Sequence, residues 1–165
     1  LSVIDVLRPV SVRSTGGASS VPSGTLADVS SDNSDATYIQ LPVANAGNNW
    51  SLRLEPHTPA AGYQRHQVRG RIRAKCDADT LTEDIDLGRS VADYINYQTV
   101  PLTASFSEQI TDWFQDANYG LFLAGAISDL NMGGGWADNI TGSASLVQTA
   151  ECYVDVDCRL EPQYS

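Results

Sequence analysis

The sequence predicts an all-β fold, an antiparallel β-sandwich, and three observations carry that prediction. From His66 to Cys76 the chain alternates strictly: His66, Val68, Gly70, Ile72, Ala74 and Cys76 fall on one face, and Gln67, Arg69, Arg71, Arg73 and Lys75 on the other. Successive side chains of a strand point to opposite faces, so this pattern describes a half-buried strand with a cationic outer surface. Near the C-terminus the pattern returns with its charge reversed. Cys152, Val154, Val156 and Cys158 make an apolar face, and Glu151, Tyr153, Asp155 and Asp157 line the outer one. Opposite charges facing each other across neighbouring strands contribute roughly 0.2–1 kcal/mol per pair and disfavour wrong registers, so the two segments are expected side by side. Third, polarity is carried mainly by Ser, Thr, Asn, Asp and Gly, which make turns, rather than by the Lys and Glu that decorate helices.

With 165 residues the chain can bury one core and is too short for two ordinary domains. The expected organisation is an extended N-terminal arm and linker over residues 1–24, followed by the sandwich over 25–165. In the arm, Val3, Ile4, Val6, Leu7, Val10 and Val12 surround Pro9. That suits an extended segment laid along something apolar, on a neighbouring molecule or on its own domain, and Pro9 keeps it off a helix and out of a central strand. Arg13 to Gly24 is rich in Ser and Gly, the composition of a flexible connector.

Further along, Ser30 to Leu41 passes from Ser and Asp turn residues into Thr37, Tyr38, Ile39 and Leu41, a turn entering a strand. Trp50, Leu52 and Leu54 alternate with Ser51, Arg53 and Glu55 until Pro56 ends the run. The basic strand is followed by a turn with Asp77 and Asp79, then by Leu81, Ile85 and Leu87. Val91 to Leu102 reads as a strand or a short helical turn bounded by Pro101. Ser107 to Asn118 is the one serious helical competitor, with Ile110, Trp113 and Phe114 at helical spacing and Ser107 placed as an N-cap. Leu121 to Ile127 reads as a buried strand, and Asn131 to Gly142, with three consecutive glycines and Trp136, as a long loop. The count, about seven to nine short strands, is that of a sandwich.

The net charge of -10 argues against binding to nucleic acid or anionic lipid, since phosphate attracts basic surfaces. Half of the ten basic residues nevertheless lie between Arg65 and Lys75. Two readings fit them: a solvated strand face neutralised by the acidic strand, or a docking patch for an acidic protein that uses Arg69, Arg71 and Arg73. No apolar run is long enough to span a membrane as a helix, and no signal peptide is recognisable.

Cys76, Cys152 and Cys158 form no disulfide framework. Cys152 and Cys158 lie ~20 Å apart along one strand at the usual rise, while bridged Cα atoms lie within ~7 Å. All three fall on inward faces, which suits buried thiols in a protein made in a reducing cytoplasm. No metal is expected. His57 and His66 are too far from any Cys pair for ligand spacing, and His66 reads as a residue at a strand's end. Asp28, Asp32, Asn33 and Asp35 could gather around Ca²⁺, yet they lack the EF-hand pattern, and Asx residues make turns without an ion. Catalysis is not expected either: there is no Gly-x-Ser-x-Gly elbow, neither His stands in a catalytic context, and Gly133-Gly134-Gly135 is not followed by Lys-Ser or Lys-Thr. Loop aromatics, Tyr119 and Trp136 foremost, could stack on sugar rings or anchor an interface, whereas Trp50 reads more simply as core.

Several of these elements, in this order, carry a resemblance. The run Ser31-Asp32-Asn33-Ser34-Asp35-Ala36-Thr37-Tyr38-Ile39 resembles the entry of a jelly-roll-like β-sandwich domain that recurs in structural proteins of tailed bacteriophages. A basic alternating strand follows (Val68 to Ala74), then a Trp-centred segment (Thr111-Asp112-Trp113-Phe114), an aromatic-glycine step (Tyr119-Gly120-Leu121) and a last alternating strand (Val147 to Arg159). The resemblance spans roughly Val21 to Leu160, and the glycine loop with Trp136 departs from it. It implies a non-enzymatic virion protein without cofactors that contacts capsid or other virion proteins as a homo-oligomer, most simply decorating the capsid exterior. A tail-tip or fibre module that binds host carbohydrate is the alternative. The expected interface residues are Val3, Ile4, Val6, Leu7 and Val10 of the arm with Arg69, Arg71 and Arg73, and the expected partner or ligand loop holds Tyr119 and Trp136.

Overall fold

The computed structural model of the chain describes residues 2–29, 34–42, 50–76, 81–90, 93–114 and 146–160. These form ten strands and one helical turn: β1 (Ser2–Leu7), β2 (Pro9–Ser14), β3 (Ser19–Val21), α1 (Leu26–Val29), β4 (Tyr38–Pro42), β5 (Ser51–Leu54), β6 (Tyr63–Cys76), β7 (Leu81–Ser90), β8 (Asp93–Leu102), β9 (Ser107–Ile110) and β10 (Leu146–Leu160). Every strand pair among the described residues is antiparallel. The fold is all-β, as expected for a sandwich.

The organising strand is β10. Along one edge it pairs with β6 over nearly its whole length. Its other edge is shared: β4 occupies the Leu146–Thr149 half and β1 the Val154–Arg159 half. With β3 beyond β4 and β9 beyond β6, this makes a six-stranded sheet. The pairing expected from alternation and charge is therefore present: Arg69 stands opposite Asp155, Arg71 opposite Tyr153 and Arg73 opposite Glu151.

The N-terminal segment is extended, and it is bound to its own domain. After β1 the chain crosses at Arg8 and Pro9 into β2, which pairs with β5 in a second layer. Reciprocal bonds at the crossing, Arg8 N–H to Glu55 Oε1 and Glu55 N–H to the Arg8 carbonyl, hold the corner. The stretch read as a flexible connector is also structured. Ala18 N–H bonds to the Thr15 carbonyl across Gly16 and Gly17, whose φ values of 56° and 87° are open to glycine at little cost. The chain then enters β3 and α1.

One apolar core joins the layers. The inner face of the large sheet contributes Ile39, Leu41, Val68, Ile72, Ala74, Cys76, Val147, Cys152, Val154, Val156 and Cys158; Trp50, Leu52 and Leu54 come from β5 and the residue before it, Leu26 from α1, and Val100 and Leu102 from β8. Trp50 is core, as its simpler reading held. Burying each Leu, Ile or Val contributes about 1.5–3 kcal/mol.

One expectation is corrected and one alternative is decided. Ser107 to Asn118 does not open as a helix: β9 pairs with Arg71–Ala74 of β6, and the segment after it stays extended against the same strand, with Phe114 and Val68 exchanging backbone bonds at 2.7 and 3.0 Å. Inward Phe114 and outward Ile110 fit an irregular edge strand as well as they fit helical spacing. Of the two readings of Val91 to Leu102, the strand is the one present over Asp93–Leu102, where β8 pairs with β7. Residues 115–145, which include the expected strand Leu121 to Ile127 and the glycine loop, lie outside the described residues.

Candidate functional site

The expected interface residues separate into two groups. Val3, Ile4 and Val6 of β1 and Val10 of β2 are exposed, from 40% for Val6 to 58% for Val10. Ile4 and Val6 stand opposite Asp157 and Asp155, so they extend the outer face of the large sheet at the β1 edge. Leu7 is a correction. It stands opposite Val154, faces inward and is buried in the core, where no partner can reach it.

The basic residues of β6 are engaged within the chain. Arg69 Nε donates to Asp155 Oδ2 at 2.8 Å, and Arg71 Nε lies 3.0 Å from the same oxygen. Arg73 makes a fork to both oxygens of Asp35, each at 2.7 Å. Its hydrogen bonds hold the Asp35 carboxyl below the usual carboxylate range. Gln67 donates to Asp157 at 2.9 Å. Aromatic rings cover what remains: the Arg69 guanidinium lies over Trp113 at 4.3 Å, Arg71 over Tyr153 at 4.0 Å, and Lys75 over Phe106 at 4.9 Å. Burial beneath this layer pushes the Tyr153 hydroxyl up from its ordinary value. Of the two readings of the basic strand, this geometry is that of a neutralised face rather than a cationic docking patch. Asp35, one of the four residues considered for Ca²⁺, is committed to Arg73; Asp32 and Asn33 lie outside the described residues, as do Tyr119 and Trp136.

A second constellation was not legible in the sequence. Asp5 of β1, His57 of the segment between β5 and β6, Arg65 of β6 and Cys158 of β10 meet at one end of the core. His57 Nδ1 accepts from Arg65 Nε at 2.9 Å, and Arg65 Nη2 donates to the His57 carbonyl. With Nδ1 accepting, the ring proton sits on Nε2 and is donated to Asp5 Oδ2 at 2.8 Å. Cys158 Sγ lies 3.8 Å from the same oxygen and 4.0 Å from Nε2. Burial first, and the Asp5 carboxylate next, push the Cys158 thiol up to about 11. Burial lowers the Arg65 guanidinium.

The register explains how the group forms. Between Asp157 opposite Gln67 and Cys158 opposite Arg65, residue His66 is an extra residue in β6. Such a bulge switches the faces of the residues beyond it, so Arg65 turns inward and His66 does not follow the apolar face. A second shift between Thr149 and Glu151 does the same in β10, at Ala150. Period-two reading carries no signal for either.

A Cys, a His and an Asp invite comparison with a nucleophilic triad, and the hydrogen bonds are wrong for one. A triad places the nucleophile and the orienting carboxylate on different ring nitrogens. Here both stand at Nε2, while an arginine occupies Nδ1, and the raised thiol is not a thiolate at neutral pH. By ligand chemistry, the same three residues could hold a metal ion.

No family profile, curated protein or solved structure matches the chain. Among the described residues no helix is long and apolar enough to cross a membrane.

Proposed function

We propose that this chain is a non-enzymatic structural protein of a tailed-bacteriophage virion that decorates or cements the capsid exterior through protein–protein contacts. The observation that carries the reading is the exposed apolar pair Ile4 and Val6 on the outer face of β1, with Val3 exposed on that strand's other face and Val10 on β2, on a molecule of net charge -10. Ile4 and Val6, held on one face of a strand at 47% and 40% exposure, are an anchor for a partner surface. Beside them Arg69 is bonded to Asp155 and Arg73 to Asp35, which suits an outer face that must stay soluble when a partner is absent. The order of sequence elements that resembles phage sandwich domains supplies the identity of the partner class, capsid or other virion proteins, and a small symmetric oligomer is the expected form.

Deleting Leu1 to Val12 is a poor test, because it would remove β1, most of β2 and a core leucine. The apt perturbation is Ile4→Lys with Val6→Lys, two exposed positions whose loss leaves the core whole. Particles assembled with this variant are expected to lack the protein while its circular dichroism stays that of the parent. Full incorporation of the folded variant would refute the reading. Saturable binding on a glycan array in place of particle binding would favour a carbohydrate-binding appendage.

A further inference from the structure

We propose that Asp5, His57 and Cys158 are a binding site for a divalent metal ion of the zinc class, a clasp between the first strand and the last. Their ligand atoms, Oδ2, Nε2 and Sγ, all lie within 4.8 Å of one another. The separations are 2.8 Å from oxygen to nitrogen, 3.8 Å from oxygen to sulfur and 4.0 Å from nitrogen to sulfur. A tetrahedral ion about 2.0–2.3 Å from such donors would set them roughly 3.3–3.6 Å apart, so shifts of about half an ångström bring the three into place. One carboxylate, one imidazole and one thiolate suit zinc. Calcium and magnesium take oxygen ligands and are disfavoured by the sulfur. His57 and Cys158 are buried, while the Asp5 carboxylate is 39% exposed and gives an ion a way in from solvent.

The hydrogen bonds describe the proton-filled form of this site. Asp5 Oδ2 accepts from His57 Nε2–H and is within reach of the Cys158 S–H, the two protons that stand where a metal would be bound. Loading releases the thiol proton to solvent and places the imidazole proton on Nδ1 instead of Nε2. Nδ1 then no longer accepts from Arg65 Nε, while the Arg65 bond to the His57 carbonyl is kept. The loaded centre is neutral, two positive charges against one carboxylate and one thiolate, so the Arg65 guanidinium faces no net charge. Arg65 is therefore the group that opposes loading, through one hydrogen bond.

This inference is independent of the surface contacts proposed above. The test titrates Co²⁺ alone into the chain after treatment with EDTA and removal of the chelator. The expected result is a saturable thiolate-to-cobalt absorption band that Zn²⁺ displaces, that Cys158→Ala abolishes and that Cys76→Ala retains. Asp5→Asn, on a half-exposed strand position, should weaken Co²⁺ binding by about tenfold or more with unchanged circular dichroism. A second measurement on the unmodified chain is its melting temperature, which should rise with the logarithm of the Zn²⁺ concentration. No band on the folded chain, a band that survives Cys158→Ala, or a melting temperature indifferent to Zn²⁺ would overturn the proposal.

Discussion

Burial, rather than bond length, should decide which ion pair of the outer face matters for stability, and Asp155 against Asp35 is the comparison that tests it. Both carboxylates bind arginines of β6. The Asp35 pair has the better geometry, a fork with both distances at 2.7 Å, yet its partners are 45% and 33% exposed. Asp155 is 1% exposed and lies between Arg69 and Arg71, which are 29% and 22% exposed. Removing one member of a fully buried pair costs about 3–5 kcal/mol, because the remaining charge is stranded. Here both arginines keep some access to water, so Asp155→Asn should cost about 2–3 kcal/mol, or roughly 4–12 °C in melting temperature for a chain of this size. Asp35→Asn should shift the transition far less, as exposed pairs do. Urea and thermal unfolding of the two variants, followed by the same probe, give the comparison directly. An Asp35→Asn loss equal to or above that of Asp155→Asn would refute the reasoning.

Leu52→Ala removes a side chain of β5 that has no solvent exposure and belongs to the core cluster, and should lower the unfolding free energy by about 2–5 kcal/mol in urea titrations. The alkaline limb of the stability profile should be shaped by Cys158. Its thiol is raised from 9.0 to about 11 in the folded chain, so the unfolded state loses its proton first. The associated stability is complete below about pH 9 and is lost as pH rises towards 11. Unfolding measured from pH 8 to 11 with EDTA present should show this decline, and Cys158→Ala should flatten the part that begins near pH 9. Tyr153, also raised by burial, should keep the remainder.

The large sheet was legible because two neighbouring strands carry the same period-two pattern with opposite charge. Ile72, Val154 and Val156 fall inward, and Arg69 meets Asp155, because alternation and charge pairing act on the same residues. What alternation cannot express is an added residue. The bulge at His66 placed an arginine where the pattern offered a histidine, and so hid the polar cluster. The members of that cluster are also far apart in sequence: 52 residues separate Asp5 from His57, and 153 separate it from Cys158. Short spacings, by which metal and catalytic motifs are recognised, hold no trace of such a group. The apolar N-terminal segment forms strands β1 and β2, paired with β10 and β5. Pro9 marks the step from β1 to β2 rather than the end of regular structure, and Leu7, two residues before it, is the one arm residue called for the interface that the core absorbs. The false helix at Ser107 arose from side-chain spacing alone, which cannot distinguish a turn of helix from a strand that bends.

Because β10 fills the gap between β6 on one edge and β1 and β4 on the other, the sheet has no route to completion until β10 itself has left the ribosome. Up to that moment β1, β4 and β6 each carry an unsatisfied edge, and their greasy sides have nothing to close over. Closing the large sheet then waits for β10 and joins it to β1, a segment made long before it. A nascent chain halted short of Leu146 would hold three open edges and a divided interior, a substrate for chaperones and proteases rather than a small version of the domain.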